Sequence, residues 1–307
     1  DEILEQLESI RVTPVLTAHP TEAKRLTVLD IHRDIYLLLV KKENQVWSQS
    51  EQHELKDELI TLFERLWRTG EIYLEKPSLA DERSNLMHYF TNVFPDVLHL
   101  TDKRLMQAWE AQGYDTDKLQ WPEQFPLVQF GSWVGGDRDG HPFVTPEFTA
   151  DTLRLHRKLA IKMVSKSLYN LAGDLSFSVF RNKISDKFKE KVSLKAEALG
   201  EVGLLAIKKN DQEPFRQFIN LLLEQLKLSA GEGGFKTAAE LSNELKTLRK
   251  ELVAIGAKKV VKQWLFPVER LVMSFGFHLA KLDIRNNSTY HEKAITQILT
   301  AAGAEHV

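Results

Sequence analysis

The stretch Leu127-Val128-Gln129-Phe130-Gly131-Ser132-Trp133-Val134-Gly135-Gly136-Asp137-Arg138-Asp139-Gly140-His141-Pro142 sets a short apolar run against a glycine-rich turn. Leu127–Val134 breaks a helical rhythm that otherwise dominates the chain, and it predicts a β-strand. Two further segments break the rhythm in the same way, Val12–Thr17 and Phe277–Arg285. Alternation puts Thr13, Val15, Thr17 and His19 on one face of the first. It puts Lys281, Asp283 and Arg285 on one face of the last, opposite Ala280, Leu282 and Ile284. Long helical stretches separate the three, so simple hairpins are excluded. The strands are parallel or far-connected, as in a β/α barrel or an open α/β sheet. Such folds place their chemistry at the C-terminal ends of strands, where His19, Arg138 and Arg285 fall.

Between the strands the helices announce themselves. Residues 51–69 carry Leu55, Leu59, Leu62, Phe63 and Leu66 at three- and four-residue spacings, with Gly70 as a stop. A helix over 22–42 follows Pro20-Thr21. Thr145-Pro146-Glu147 offers an N-cap and a first-turn proline for a helix that reaches Ala172 and ends at Gly173. Further helices are expected over 214–228, 237–255, 259–274 and 289–302, with Gly231–Gly234 a short connector. The expected fold class is predominantly α-helical with a few parallel strands.

With 43% apolar residues in 307, the chain can build a substantial core, which excludes a disordered polypeptide. It contains no cysteine, so thiolate nucleophiles, disulfides and zinc-thiolate sites are excluded; a reducing cytoplasm is the expected location. The longest unbroken apolar run, Ile35–Val40, falls far short of the ~20 residues of a membrane-spanning helix, and no membrane partner is expected. The net charge of −2 hides an asymmetry. Residues 1–130 hold 14 Lys/Arg against 23 Asp/Glu, and residues 131–307 hold 27 against 20. Most of the surplus lysines lie in polar runs such as Lys187–Lys195 and read as solvated surface. Without a Lys/Arg block or an aromatic-interleaved basic patch, nucleic acid is not an expected partner.

Three motifs carry candidate chemistry. In Thr17-Ala18-His19-Pro20-Thr21-Glu22 a histidine sits between a strand end and a helix start, where it can move protons or stabilise an oxyanion. A loop histidine bonded to backbone is the plainer alternative. In the glycine-rich loop, Gly135, Gly136 and Gly140 let the backbone approach a ligand closely and adopt positive φ, and Arg138 stands between Asp137 and Asp139. Arg138 as an anion clamp oriented by one of these aspartates, an ion-pair network, a divalent-cation site and a complex tight turn are the readings; the network outweighs the metal. In Asp283-Ile284-Arg285-Asn286-Asn287-Ser288, Arg285 at a strand end, ahead of a helix capped by Ser288, suits a phosphate or carboxylate. An Asp283–Arg285 pair that only holds the strand end fits the spacing equally. Arg216 in Glu213-Pro214-Phe215-Arg216 reads as a stacked or paired structural arginine, and Arg68 near the end of the 51–69 helix as a surface ion pair, with reach into a pocket the lesser alternative.

Together these strings resemble the phosphoenolpyruvate carboxylase family. The resemblance lies in Leu16 to Glu22, in Gly131 to Gly140, and in Phe275-Gly276 with Leu282-Asp283-Ile284-Arg285. Weaker echoes are Trp67 to Glu71, Lys76-Pro77, Asp81-Glu82 and Glu213 to Arg216. The resemblance implies part of a phosphoenolpyruvate-type (β/α)8 barrel surrounded by extra helices. It implies formation of oxaloacetate and phosphate from phosphoenolpyruvate and bicarbonate, through carboxyphosphate and the pyruvate enolate, with Mg²⁺ or Mn²⁺. His19 matches the family's essential histidine, Arg285 an arginine that binds the phosphate, and the loop of Gly135, Gly136, Asp137, Arg138, Asp139 and Gly140 the loop at the barrel mouth. Asn286 and Asn287 depart from the family's usual Gln-Glu, and His141 from its usual Asn.

Chains of that family are several times longer, and their metal ligands and allosteric site lie in later parts. Residues 1–307 therefore read as a fragment of the N-terminal half of one large barrel enzyme, with any internal subdivision near 175–235. The fragment is expected to be catalytically silent and to hold no metal ligand. The parent is expected to be a cytoplasmic, allosteric homotetramer. The alternative is a non-catalytic helical scaffold or regulatory module that keeps an anion pocket.

Overall fold

The computed structural model describes residues 2–17, 25–43, 47–70, 78–139, 143–228 and 230–303. Two compact units emerge, Asp1–Leu16 with Met87–Val307, and Thr17–Leu86; residues 175–235 lie within the former. Helix α1 (Glu2–Ser9) opens the larger unit, followed by β1 (Arg11–Val12) and β2 (Val15–Leu16). The smaller unit is built on α2 (Leu26–Lys42) and α3 (Gln49–Arg68). Ile31, Ile35 and Leu38 of α2 close on Leu55 and Leu59 of α3. The α3 start is a reciprocal cap: the Ser48 hydroxyl accepts from the Glu51 N–H, and the Glu51 carboxylate accepts from the Ser48 N–H. Arg68 is ion-paired to Glu64 at 2.8 Å, the surface role expected of it.

Helix α4 (Leu79–His88) passes through a π-helical turn, Tyr89–Val93, into α5 (Phe94–Ala111). After β3 (Leu127–Val128) and β4 (Gly131–Ser132) comes α6 (Pro146–Asp174), the longest helix. Its start is the one expected, with Thr145 accepting from the Phe148 N–H and Pro146 at the first position. Its buried stripe, Thr149, Thr152, His156, Ala160, Val164, Leu168 and Leu171, keeps the three- and four-residue spacing of one helix face. Helices α7 (Asp186–Ala198), α8 (Gly200–Lys208), α9 (Pro214–Lys227) and α10 (Ala238–Ala254) follow. The short α11 (Lys258–Val260) then leads through a second π-helical turn into α12 (Phe266–Phe275). α9 buries Phe215, Phe218, Ile219, Leu222 and Leu226, and α10 buries Leu241, Leu245, Leu248 and Leu252. Arg216 pairs with Glu213 at 3.2 Å, a structural role. Among the described residues no helix is long and apolar enough to cross a membrane.

β5 (Lys281–Leu282) and α13 (Ser288–Ala301) complete the fold. The strands are parallel, as expected, but shorter: β1 pairs with β3, and β4 lies between β2 and β5. Pro14 has no N–H to give a ladder and separates β1 from β2, while its carbonyl still accepts from the Gly131 N–H at 2.9 Å. Phe130 anchors the opposite strand. Its ring stacks between Phe94, 4.7 Å away, and Phe275, 5.0 Å away, and its carbonyl accepts from the Lys281 N–H at 2.8 Å. The expected cap at Ser288 is displaced by one residue, because the Asn287 side chain accepts the Thr289 N–H at 2.9 Å and leaves Ser288 as the first helical residue.

One ionic cluster ties α10, α12 and the 3₁₀ turn Pro122–Gln124 together. Arg249 forks onto Glu123 at 2.9 and 2.8 Å and reaches Glu269 only at 3.5 Å, while one Glu269 oxygen is buried without a partner among the described residues. Burial pushes the Glu269 carboxyl up to about 8, with Arg249 offsetting only part of that. Burial also acts on Glu123, but the Arg249 fork and Lys246 outweigh it and hold that carboxyl at about 2. The Glu269 proton therefore contributes stability that is complete below pH 4.5 and lost as pH rises to about 8. The loss is on the order of 5 kcal/mol. Glu269→Gln is expected to remove the fall in melting temperature between pH 5 and pH 8; an unchanged fall would assign it to another group.

Candidate functional site

The glycine-rich loop and Arg285 were predicted from segments more than a hundred residues apart, and the sheet brings them together. β4 and β5 pair in parallel register, Gly131 with Lys281 and Ser132 with Leu282. The Asp283 N–H donates to the Ser132 carbonyl at 2.8 Å and carries the ladder onward. Beyond it the chain turns tightly, with the N–H groups of Gly136 and Asp137 both donating to the Trp133 carbonyl, at 2.8 and 2.9 Å. The ladder then resumes as a parallel bridge between Asp137 and Arg285. The Arg138 N–H donates to the Arg285 carbonyl at 2.9 Å, and the Arg285 N–H to the Gly136 carbonyl at 3.1 Å.

Two glycines make this closure possible. Gly135 has φ +91°, and a Cβ there would stand 2.6 Å from the Thr152 hydroxyl. A Cβ on Gly136 would collide with the Asp283 carbonyl. Both are sites of close approach within the protein itself, to α6 and to the backbone of Asp283.

Arg285 stacks on Trp133, with the guanidinium carbon 4.4 Å from the ring centroid, and its Nη1 lies 3.7 Å from an Asp137 oxygen. Its side chain remains 46% exposed, enough to present donors to an incoming anion. Its ion pair runs across the bridge to Asp137 and not along the strand to Asp283. Arg138 differs from expectation in its partner. Asp137 is turned to Arg285 and accepts the Asp139 N–H at 3.1 Å, so Arg138 is held instead by Thr149, its Nη2 donating to the hydroxyl at 3.3 Å. The Arg138 Nε, sealed from solvent, has no acceptor among the described residues. At the nearby start of α6 the Glu147 carboxyl is held below its ordinary value by its own backbone N–H, by Thr145 and by the Arg138 charge. Asn286 accepts the Asn287 N–H at 2.9 Å, and Asn287 caps α13, so both are engaged locally. His19 and Gly140 lie outside the described residues.

Two functional candidates escaped the sequence reading as individuals. Trp133 was part of the motif, but its service as a platform for Arg285 depends on a bridge between residues far apart in sequence. Thr149 had only its place one turn after the Thr145 cap to mark it. The assembled site is cationic, pre-shaped by backbone and half-open, which suits binding of a phosphate or carboxylate and electrostatic stabilisation of developing negative charge. Its carboxylates do not suit a metal: Asp137 is committed to Arg285, and no group of three or more carboxylate or imidazole side chains among the described residues could hold an ion.

The family model described as phosphoenolpyruvate carboxylase matches residues 1–306. Over 301 residues the chain is 32% identical to a phosphoenolpyruvate carboxylase of Methylorubrum extorquens, covering 94% of this chain and 32% of that protein. It is 30% identical over 320 residues to one from Roseiflexus castenholzii, covering 98% and 33%. It is 32% identical over 312 residues to one from Rhodopseudomonas palustris, covering 96% and 32%. The chain spans about a third of the length of these curated relatives.

Proposed function

The chain belongs to the phosphoenolpyruvate carboxylase family, and from that premise we propose that it is part of the N-terminal half of an enzyme that carboxylates phosphoenolpyruvate. The reaction takes phosphoenolpyruvate and bicarbonate to oxaloacetate and phosphate, an anaplerotic fixation of carbon in the cytoplasm. Bicarbonate oxygen attacks the phosphoryl group, the bond from phosphorus to the enol oxygen breaks, and carboxyphosphate and the pyruvate enolate result. Carboxyphosphate then releases carbon dioxide and phosphate, and the enolate carbon captures the carbon dioxide. Both steps involve concentrated negative charge and an enolate that water would quench, so cationic clamps and a closed pocket are required. In this reading Arg285 and Arg138 hold anionic oxygens, the backbone of Gly135 and Gly136 lets the loop close over them, and His19 handles the proton. The strands belong to a (β/α)8 barrel that the rest of the parent closes, in an allosteric homotetramer. The described residues do not suit the Mg²⁺ or Mn²⁺ of the reaction, whose ligands in this reading belong to other parts of the parent.

The observation that carries the proposal is the Asp137–Arg285 bridge, which joins two of the three family-like motifs into one cationic site. A coupled oxaloacetate assay tests it. In the full-length parent, Arg285→Ala is expected to raise the KM for phosphoenolpyruvate by about 10- to 100-fold, the loss of a charge-assisted contact. The 307-residue chain alone is expected to give no turnover. An unchanged KM would remove Arg285 from phosphate binding, and metal-dependent turnover by the chain alone would overturn its status as a fragment.

A further inference from the structure

We infer that Thr149, one turn into α6, is a positioning residue that aims Arg138 at the bound anion. The inference rests on the proposed anion site and adds the group that sets its geometry. Thr149 is 6% exposed, and its hydroxyl is engaged on both sides. It donates to the Gly135 carbonyl at 2.7 Å and accepts from Arg138 Nη2 at 3.3 Å. The hydroxyl has a single proton, and the Thr145 carbonyl, 3.2 Å away, is the more distant acceptor for it. One side chain thus ties the turn at its positive-φ glycine to the guanidinium that the turn carries.

The chemistry follows from what remains on Arg138. A planar guanidinium fixed through one Nη turns its remaining donors in a defined direction, and the sealed Nε has no acceptor among the described residues. A phosphate or carboxylate oxygen satisfies such a donor set. Threonine suits the task because β-branching leaves χ1 few rotamers on a helix, and burial with the bonds to Gly135 and Arg138 holds the one observed. Without that hydroxyl the Gly135 carbonyl loses its donor and Arg138 loses its orientation together, and neither group touches the anion through Thr149 itself.

Calorimetric titration of the 307-residue chain with inorganic phosphate, alongside thermal melting, tests the inference. Thr149→Val is expected to weaken phosphate binding about tenfold and Thr149→Ser to restore it to within about twofold. In an Arg138→Ala background, Thr149→Val is expected to add nothing, because the threonine acts through the arginine. If the valine variant does not fold, Thr149→Ala removes the same hydroxyl and carries the same comparisons. Binding that Arg138→Ala weakens but Thr149→Val leaves intact would overturn the positioning role. So would a serine variant as damaged as the valine one, or a full Thr149→Val effect without Arg138. Failure of the wild-type chain to bind phosphate, or binding indifferent to both Arg138→Ala and Arg285→Ala, would instead overturn the anion site on which the inference rests.

Discussion

In the full-length parent, His19→Asn is expected to abolish oxaloacetate formation, by about 10³-fold or more, while leaving thermal melting and phosphoenolpyruvate binding near the wild-type values. Asparagine keeps much of the size and one hydrogen-bonding edge of histidine but cannot take up or release a proton near neutral pH. In the proposed reaction the carboxyphosphate step places negative charge on oxygen and requires a proton to be held back from the enolate. An imidazole, whose ordinary pKa lies close to the working pH, can do this, and an amide cannot. Sequence order puts His19 three residues beyond Leu16, the last residue of β2, a strand parallel to the two that present the loop and Arg285. A kcat within a few-fold of wild type would remove His19 from the chemistry. A collapse of melting temperature would move its role to folding.

The legible parts of the sequence were those written in local chemistry. Thr145-Pro146 gave the start of α6, Pro214 that of α9, and the leucine spacing of α3 its buried face, because caps and periodicity act within a few residues. The same signals existed in α7, where Phe188, Val192 and Ala196 recur every four residues, yet the flanking lysines made the run read as solvated surface. The strands were placed correctly but drawn too long; in the first, the missing N–H at Pro14 interrupts pairing in a run that alternation treats as continuous. Arg138, Arg285 and the glycines were visible as residue types suited to anions. Their partners were not: the exchange of Asp137 to Arg285 and of Arg138 to Thr149 follows from the bridge across nearly 150 residues, and local spacing contains no term for it.

The largest effect on stability is expected at the buried pair of α5 and α12, Asp102 and Arg270. Arg270, 1% exposed, donates to both Asp102 oxygens at 2.8 and 3.0 Å, to the Pro126 carbonyl at 2.9 Å, and stacks on Phe125 at 5.5 Å. Asp102→Ala leaves a guanidinium that cannot lose its proton in a dry site, a cost of about 3–5 kcal/mol in urea unfolding. Arg270→Met leaves a carboxyl, and a carboxyl has an escape. Burial already pushes Asp102 above its ordinary value against the pull of Arg270, and without the arginine it rises further. The lone acid then folds protonated, so its contribution is retained at low pH and lost as pH rises through the elevated value. The deficit of Arg270→Met against wild type is therefore expected to be small near pH 4 and to grow toward pH 8, while that of Asp102→Ala does not grow, because alanine has no carboxyl to ionise; Glu269 titrates in all three proteins and cancels in the differences. Replacing both residues, Asp102→Leu with Arg270→Met, is expected to fall closer to wild type than either single change at pH 8, because no unpaired charge remains. A flat deficit for Arg270→Met would mean that Asp102 finds another cation or water once the arginine is gone, and the pair would then owe its place to packing against Phe125 and not to the burial of charge.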